Sequence, residues 1–161
     1  MDAAQAKFHY REKSAGKEKM KMQWKKVADA TTQAGFGDPA NGDTSVAVCI
    51  YDDLGGLVQD FLVDQAGQLC AGTPCWKARG TKSYGYKDRN NASDGIAKIV
   101  YRAGEPGRGA ADVRGKNDIA HGQAALPTGV VAALRGNVSP TECVAVCARD
   151  GQQQYIRSDQ P

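Results

Sequence analysis

Residues 75–104 read CWKARGTKSYGYKDRNNASDGIAKIVYRAG, and the alternation within this stretch decides the fold class. In Ser83-Tyr84-Gly85-Tyr86-Lys87-Asp88 the aromatics fall two apart, which puts both rings on one side of an extended chain and Lys87 on the other. Ile96 to Arg102, IAKIVYR, mixes β-branched, aromatic and basic residues as a strand does. Between the two runs, DRNNASDG is dense in residues that tolerate positive φ or bond their own backbone, which predicts a turn. The reading is a β-hairpin.

The same period extends outward. Phe8, Tyr10 and Glu12 alternate with Lys7, His9 and Arg11; after Ser14-Ala15-Gly16, the set Met20, Met22, Trp24 alternates with Lys19, Lys21, Gln23 and Lys25. A first hairpin over 7–26 follows, and it is preferred to a helix even though Met20, Trp24 and Val27 also fit one helical face. Residues 30–43, ATTQAGFGDPANGD, have the composition of a surface crossover. Thr44 to Tyr51 reads as a buried strand with Val46, Val48 and Ile50 on one side, turned by Asp52-Asp53-Leu54-Gly55-Gly56 into a partner over 57–63. Residues 107–116 form a weaker strand whose glycines suit an edge or a bulge. Residues 117–129 read as a second long loop, and further strands are expected at 130–134, 141–148 and 153–156, with a turn at Asp150-Gly151. The expectation is an all-β, two-sheet antiparallel sandwich, jelly-roll or immunoglobulin-like, of about eight to ten short strands. One domain spans 1–161, with 1–12 as an extended or exchangeable N-terminal strand.

Composition narrows the function classes. The chain has 161 residues, 19 glycines, 7% aromatics and a net charge of +3, too mild to announce a nucleic-acid binder by itself. No apolar run approaches the roughly 20 residues of a membrane span, and MDAAQAK has no apolar signal core. The chain is thus expected to be soluble, and an exported form to have lost its leader. Five cysteines favour an oxidising compartment. In Cys70-Ala-Gly-Thr-Pro-Cys75 the glycine and proline fold the backbone back, so this pair is expected to be bridged. A second bridge is expected from Cys49 to one of the later two, taken as Cys147, which leaves Cys143 as a buried, free or intermolecular thiol.

Catalytic chemistry finds little to use. Only His9 and His121 are available as bases, and neither adjoins a nucleophile motif. Asp52 and Asp53 are neighbours that point oppositely in a strand and suit a turn better than acid and base work. The polar turn offers Asp88, Asn90 and Asp94 as a loose calcium set, although Ala92 and a late glycine break the EF-hand spacing. Cys70, Cys75, Cys143 and Cys147 have spacings away from the usual zinc knuckle. The sequons at Asn91 and Asn137 carry weight only in a eukaryotic host. The basic segment from Lys7 to Lys26 is the strongest binding feature: with Phe8, Tyr10 and Trp24 interleaved, it resembles the charge-plus-stacking surface of single-strand or acidic-polysaccharide binders. Lys19, Lys21 and Lys25 would form that face. The simpler account is that the lysines are a wet face and the aromatics are core.

The order of Cys75-Trp76-Lys77-Ala78, Gly80-x-x-x-Tyr84-x-Tyr86-Lys87-Asp88, Asp94-Gly95-Ile96-x-Lys98-Ile99, Gly107-Arg108-Gly109-x-x-x-Val113-x-Gly115-Lys116 and Asp150-Gly151 resembles a group of uncharacterised, secreted, β-rich bacterial proteins, from about Lys7 to Ile156. The resemblance implies a secreted β fold and supplies no catalytic residue. Together these readings predict a non-catalytic extracellular structural or adhesive protein that self-associates into a surface layer or filament, with no cofactor. Its segment Ala4 to Glu12, carrying Phe8 and Tyr10, would add a strand to a neighbour's sheet. The alternatives are a polyanion-binding module, for acidic polysaccharide or nucleic acid, and an unidentified enzyme.

Overall fold

The computed structural model describes residues 3–11, 14, 16–42, 44–51, 57–117, 129–136 and 147–149. The first predicted hairpin is formed by β1 (Ala3–Arg11) and β2 (Lys19–Val27), paired antiparallel from Ala3↔Val27 to Arg11↔Lys19. Strand wins over helix here because period two buries Met20, Met22 and Trp24 together on one face. β3 (Val46–Tyr51) and β4 (Leu57–Val63) form the second hairpin. Two-residue strands β5 (Leu69–Cys70) and β6 (Thr73–Pro74) pair beside the Cys70–Cys75 disulfide, with Ala71 and Gly72 at positive φ between them. β7 (Trp76–Arg79), β8 (Ser83–Lys87), β9 (Ile96–Arg102) and β10 (Gly109–Lys116) then run up and down, and β11 (Gly129–Gly136) and β12 (Cys147–Arg149) follow.

The strands make a six-stranded sheet, β1-β2-β10-β9-β8-β7, a four-stranded sheet, β12-β11-β3-β4, and the β5-β6 pair. Every pairing is antiparallel, as an all-β chain of short strands and turns requires. Buried side chains of both large sheets belong to one hydrophobic core: Met22, Trp24, Ile99 and Val113 from the first, Val46, Val48, Phe61 and Val63 from the second. Removing each from water contributes about 1.5–3 kcal/mol. The predicted turn between β8 and β9 places Asn91, Asp94 and Gly95 at positive φ, as its composition demands.

Three local features refine the pattern read from the sequence. Of the edge or bulge that its glycines suggested, β10 shows the second: it lies between β2 and β9, with a register shift at Gly109 in one pairing and at Gly115 in the other. Its glycines serve close packing: a Cβ on Gly109 would stand 2.8 Å from Thr31 Oγ1 and 3.1 Å from Val27 Cβ. The 30–43 segment is more than a surface crossover, because its 3-10 turn Ala34–Phe36 plants Phe36 in the core. That ring stacks on Tyr101 at 4.2 Å between centroids and also meets Tyr84 and Trp76. β3 is the buried strand its sequence predicts, with Ala47 and Cys49 covered on one face and Val46, Val48 and Ile50 on the other.

Cys49 is disulfide-bonded. The expected bridge from Cys49 to Cys147 rests on a side chain outside the described ones. Asp52, Asp53, His121, Cys143, the 137–139 sequon and the 153–156 strand lie outside the described residues, as does most of the expected 141–148 strand.

Candidate polyanion-binding face

Because side chains alternate across a strand, the residues between the core positions of the six-stranded sheet all emerge on its other face. The antiparallel registers then line them up in rows. His9 faces Lys21, Lys21 faces Arg114, Arg114 faces Lys98, and Lys98 faces Lys87. Five strands thus contribute one continuous row with no acid in it. Beside it, Arg11, Lys19 and Lys116 form a shorter basic row. On the other side run Lys7, Gln23, Asp112, Val100, Gly85 and Lys77, and then Gln5, Lys25, Ala110, Arg102, Ser83 and Arg79.

Among the described residues, twelve of the chain's 21 lysines and arginines therefore share this face, against one carboxylate, that of Asp112. Asp112 is itself engaged: Arg114 Nε donates to Oδ1 at 2.8 Å and Gln23 Nε2 donates to Oδ2 at 2.7 Å. With neighbouring strands about 4.8 Å apart, the row from His9 to Lys87 is about 19 Å long. Its lysine stems carry apolar surface below charged tips. Two open troughs flank Lys98 and Arg114: one of 390 Å³ bounded by His9, Lys21 and Lys116, the other of 260 Å³ bounded by Lys25, Arg102 and Ala110. Gly85 helps keep the far side low, since Arg79 lies across it so closely that a Cβ there would meet Nε at 2.8 Å.

Lys19, Lys21 and Lys25 stand on this face as their alternation implies, and His9 joins them at its edge. The aromatics do not. Aromatic stacking is denied to the face because Trp24 is buried in the core and Phe8 and Tyr10 pack against that core from the inner side. Phe8 and Tyr10 belong to a strand paired with β2 along its length, so the proposed exchange segment completes its own sheet. The sequence reading missed the larger part of the site, on β7 to β10. Lys87, Lys98 and Arg102 were legible as the side opposite the aromatics of their hairpin, but only the β2–β10 pairing brings them beside Lys21.

The other candidates have local duties. Asp88, 3% exposed, accepts backbone N–H bonds from Asn90 at 2.8 Å and Ala92 at 2.7 Å, which holds the turn. Asp94 accepts the Leu62 N–H at 3.0 Å, tying that turn to β4. Both carboxylates thus serve the backbone, and no cluster of three or more acidic, histidine or cysteine ligands occurs among the described residues. The Cys70–Cys75 bond removes the four-thiolate zinc set. Beneath the face, burial pushes the Tyr86 phenol up to about 12; its 3.2 Å bond to Ser93 Oγ opposes the shift and the Asp88 carboxylate adds to it. Burial likewise raises Tyr101, whose hydroxyl donates to Thr32 O at 3.0 Å. Among the described residues, no helix is long and apolar enough to cross a membrane. No family model, curated protein or solved structure matches the chain.

Proposed function

We propose that this protein is an extracellular, non-catalytic binding module whose six-stranded sheet holds a polyanion by charge. The observation that carries the reading is the row His9, Lys21, Arg114, Lys98, Lys87, set within a face of twelve basic residues and one acid. Like charges directly opposite on a sheet destabilise it by about 0.2–1 kcal/mol per pair. A bound polyanion turns that repulsion into attraction and releases its own counterions. The Cys70–Cys75 bond and the bonded Cys49 support an oxidising compartment, and with it export. Self-association through sheet edges is the lesser reading, because Lys7 and Arg11 on β1 work against edge-to-edge addition.

The test is retention on immobilised heparin across a salt gradient. Changing Lys21, Lys87 and Lys98 to Gln together should lower the elution salt and reduce the slope of log affinity against log salt by about 2. A control set on the rest of the surface, Lys17, Lys26 and Lys82 to Gln, leaves net charge equally reduced and should have little effect. Failure of the unmodified protein to bind, or an equal loss in both sets, would overturn the reading.

A further inference from the structure

We infer that the polyanion is an acidic polysaccharide, lying across the strands with anionic sugar rings seated in the two troughs, and not a single-stranded nucleic acid. This rests on the charge reading above. A single strand is held by a basic track together with aromatic side chains on which successive bases stack. Here the segregation of side chains is complete along β2: Lys19, Lys21 and Lys25 are on the outer face, while Met20, Met22 and Trp24 are 3% exposed or less. The aromatics of β8 and β9, Tyr84, Tyr86 and Tyr101, are buried too. The one aromatic residue lining a trough on the outer face among the described residues is Trp24, and at 2% exposed it offers a base no ring face to lie against.

What it does present is suited to sugars. The troughs on either side of Lys98 and Arg114 are lined by apolar groups, Met20, Ala97 and Gly115 in one, Ala110, Val100 and the buried Trp24 in the other, together with lysine and arginine side chains; the one acid there, Asp112, is already engaged by Arg114 and Gln23. A pyranose ring carrying a carboxylate or sulfate has the same division: a C–H face that rests on an apolar floor and charged groups at its rim that reach the basic tips. Phosphates of a nucleic-acid backbone would meet the tips alone and leave the floors uncovered. Recognition by charge is therefore common to both partners, and occupancy of the troughs belongs to the polysaccharide.

The experiment compares a heparin hexasaccharide, a dT oligonucleotide of matched charge and a short DNA duplex by calorimetry at one salt concentration, using the full chain. The hexasaccharide is expected to bind at least tenfold more tightly than either nucleic acid. Ala110→Leu fills a trough without changing charge; it should weaken the hexasaccharide about tenfold and leave dT unchanged, with Val100→Leu as a second filling variant and circular dichroism as the check on folding. Equal binding of hexasaccharide and dT, or trough variants that bind the hexasaccharide as the parent does, would overturn the polysaccharide assignment while leaving the charge reading intact. Tighter binding of the duplex overturns it likewise. Binding of none of the three overturns the charge reading itself.

Discussion

Lys98 sits at the point where the basic face is most crowded, with Arg114 directly opposite on one side and Lys87 on the other. Two like-charge pairs at about 0.2–1 kcal/mol each place the cost of its ammonium near 1 kcal/mol at low salt. Replacing it with a carboxylate removes both repulsions and creates two attractive pairs, so Lys98→Glu should stabilise the fold by about 1–2 kcal/mol. The exposed tips of these side chains keep the gain at the lower end of that range. In a chain of this size each kcal/mol corresponds to about 2–4 °C in Tm, so a rise of about 2–5 °C is expected in thermal melts at low ionic strength. The rise should shrink as salt approaches 1 M, where the Debye length falls to about 3 Å. The same variant should bind heparin more weakly, because it puts an acid in the middle of the row. A Tm that is unchanged or lower at low salt would refute the reasoning, since it would mean that the five basic residues do not share one face at the spacing the register gives. The opposed signs matter more than either size: a substitution that strengthens the fold and weakens binding is the mark of a surface kept strained for a ligand.

Three other expectations concern the interior. Phe36→Ala should cost about 3–5 kcal/mol in denaturant unfolding, because it leaves a ring-sized cavity among Tyr101, Tyr84 and Trp76; a loss below 1 kcal/mol would show the 30–43 segment to be the loose crossover its composition suggests. The Tyr86 pKa is raised from 10.0 to about 12, so the fold favours the neutral phenol. Its contribution to stability is present in full below pH 10 and is lost as pH rises through about 12; Tyr86→Phe should therefore flatten the fall in stability above pH 10, and an unaltered alkaline limb would count against the shift. Proteolysis without reduction should yield Cys70 joined to Cys75, and a thiol reagent applied to the unreduced protein should leave Cys49 unmodified. Labelling of Cys49, or of either member of the Cys70–Cys75 pair, would count against the expectation.

What the amino-acid order determined by itself is the local alternation and its punctuation. Tyr84 and Tyr86 two apart, Met20, Met22 and Trp24 two apart, and the Asn- and Gly-rich turn after Asp88 are enough to place strands, hairpins and inner faces, because side-chain direction in an extended chain follows from the backbone alone. The close Cys70–Cys75 pair was legible for the same reason: its loop is short and its turn residues lie inside it. Tertiary structure decided everything that depends on which hairpin lies beside which. Gly109 packs against Val27 and Thr31 only because β10 pairs with β2, a contact between segments some ninety residues apart that no local pattern encodes. Phe36 is a core residue only because Tyr101 and Trp76 converge over it, although its own neighbours in the chain read as loop. The basic face belongs to the same class: each strand shows one to three wet lysines or arginines, ordinary in isolation, and their meaning as one row from His9 to Lys87 arises when the register stacks them. Local sterics fix which way a side chain points, whereas the sum of charge over a surface depends on strand order, and strand order is set by the burial of distant apolar faces against one another.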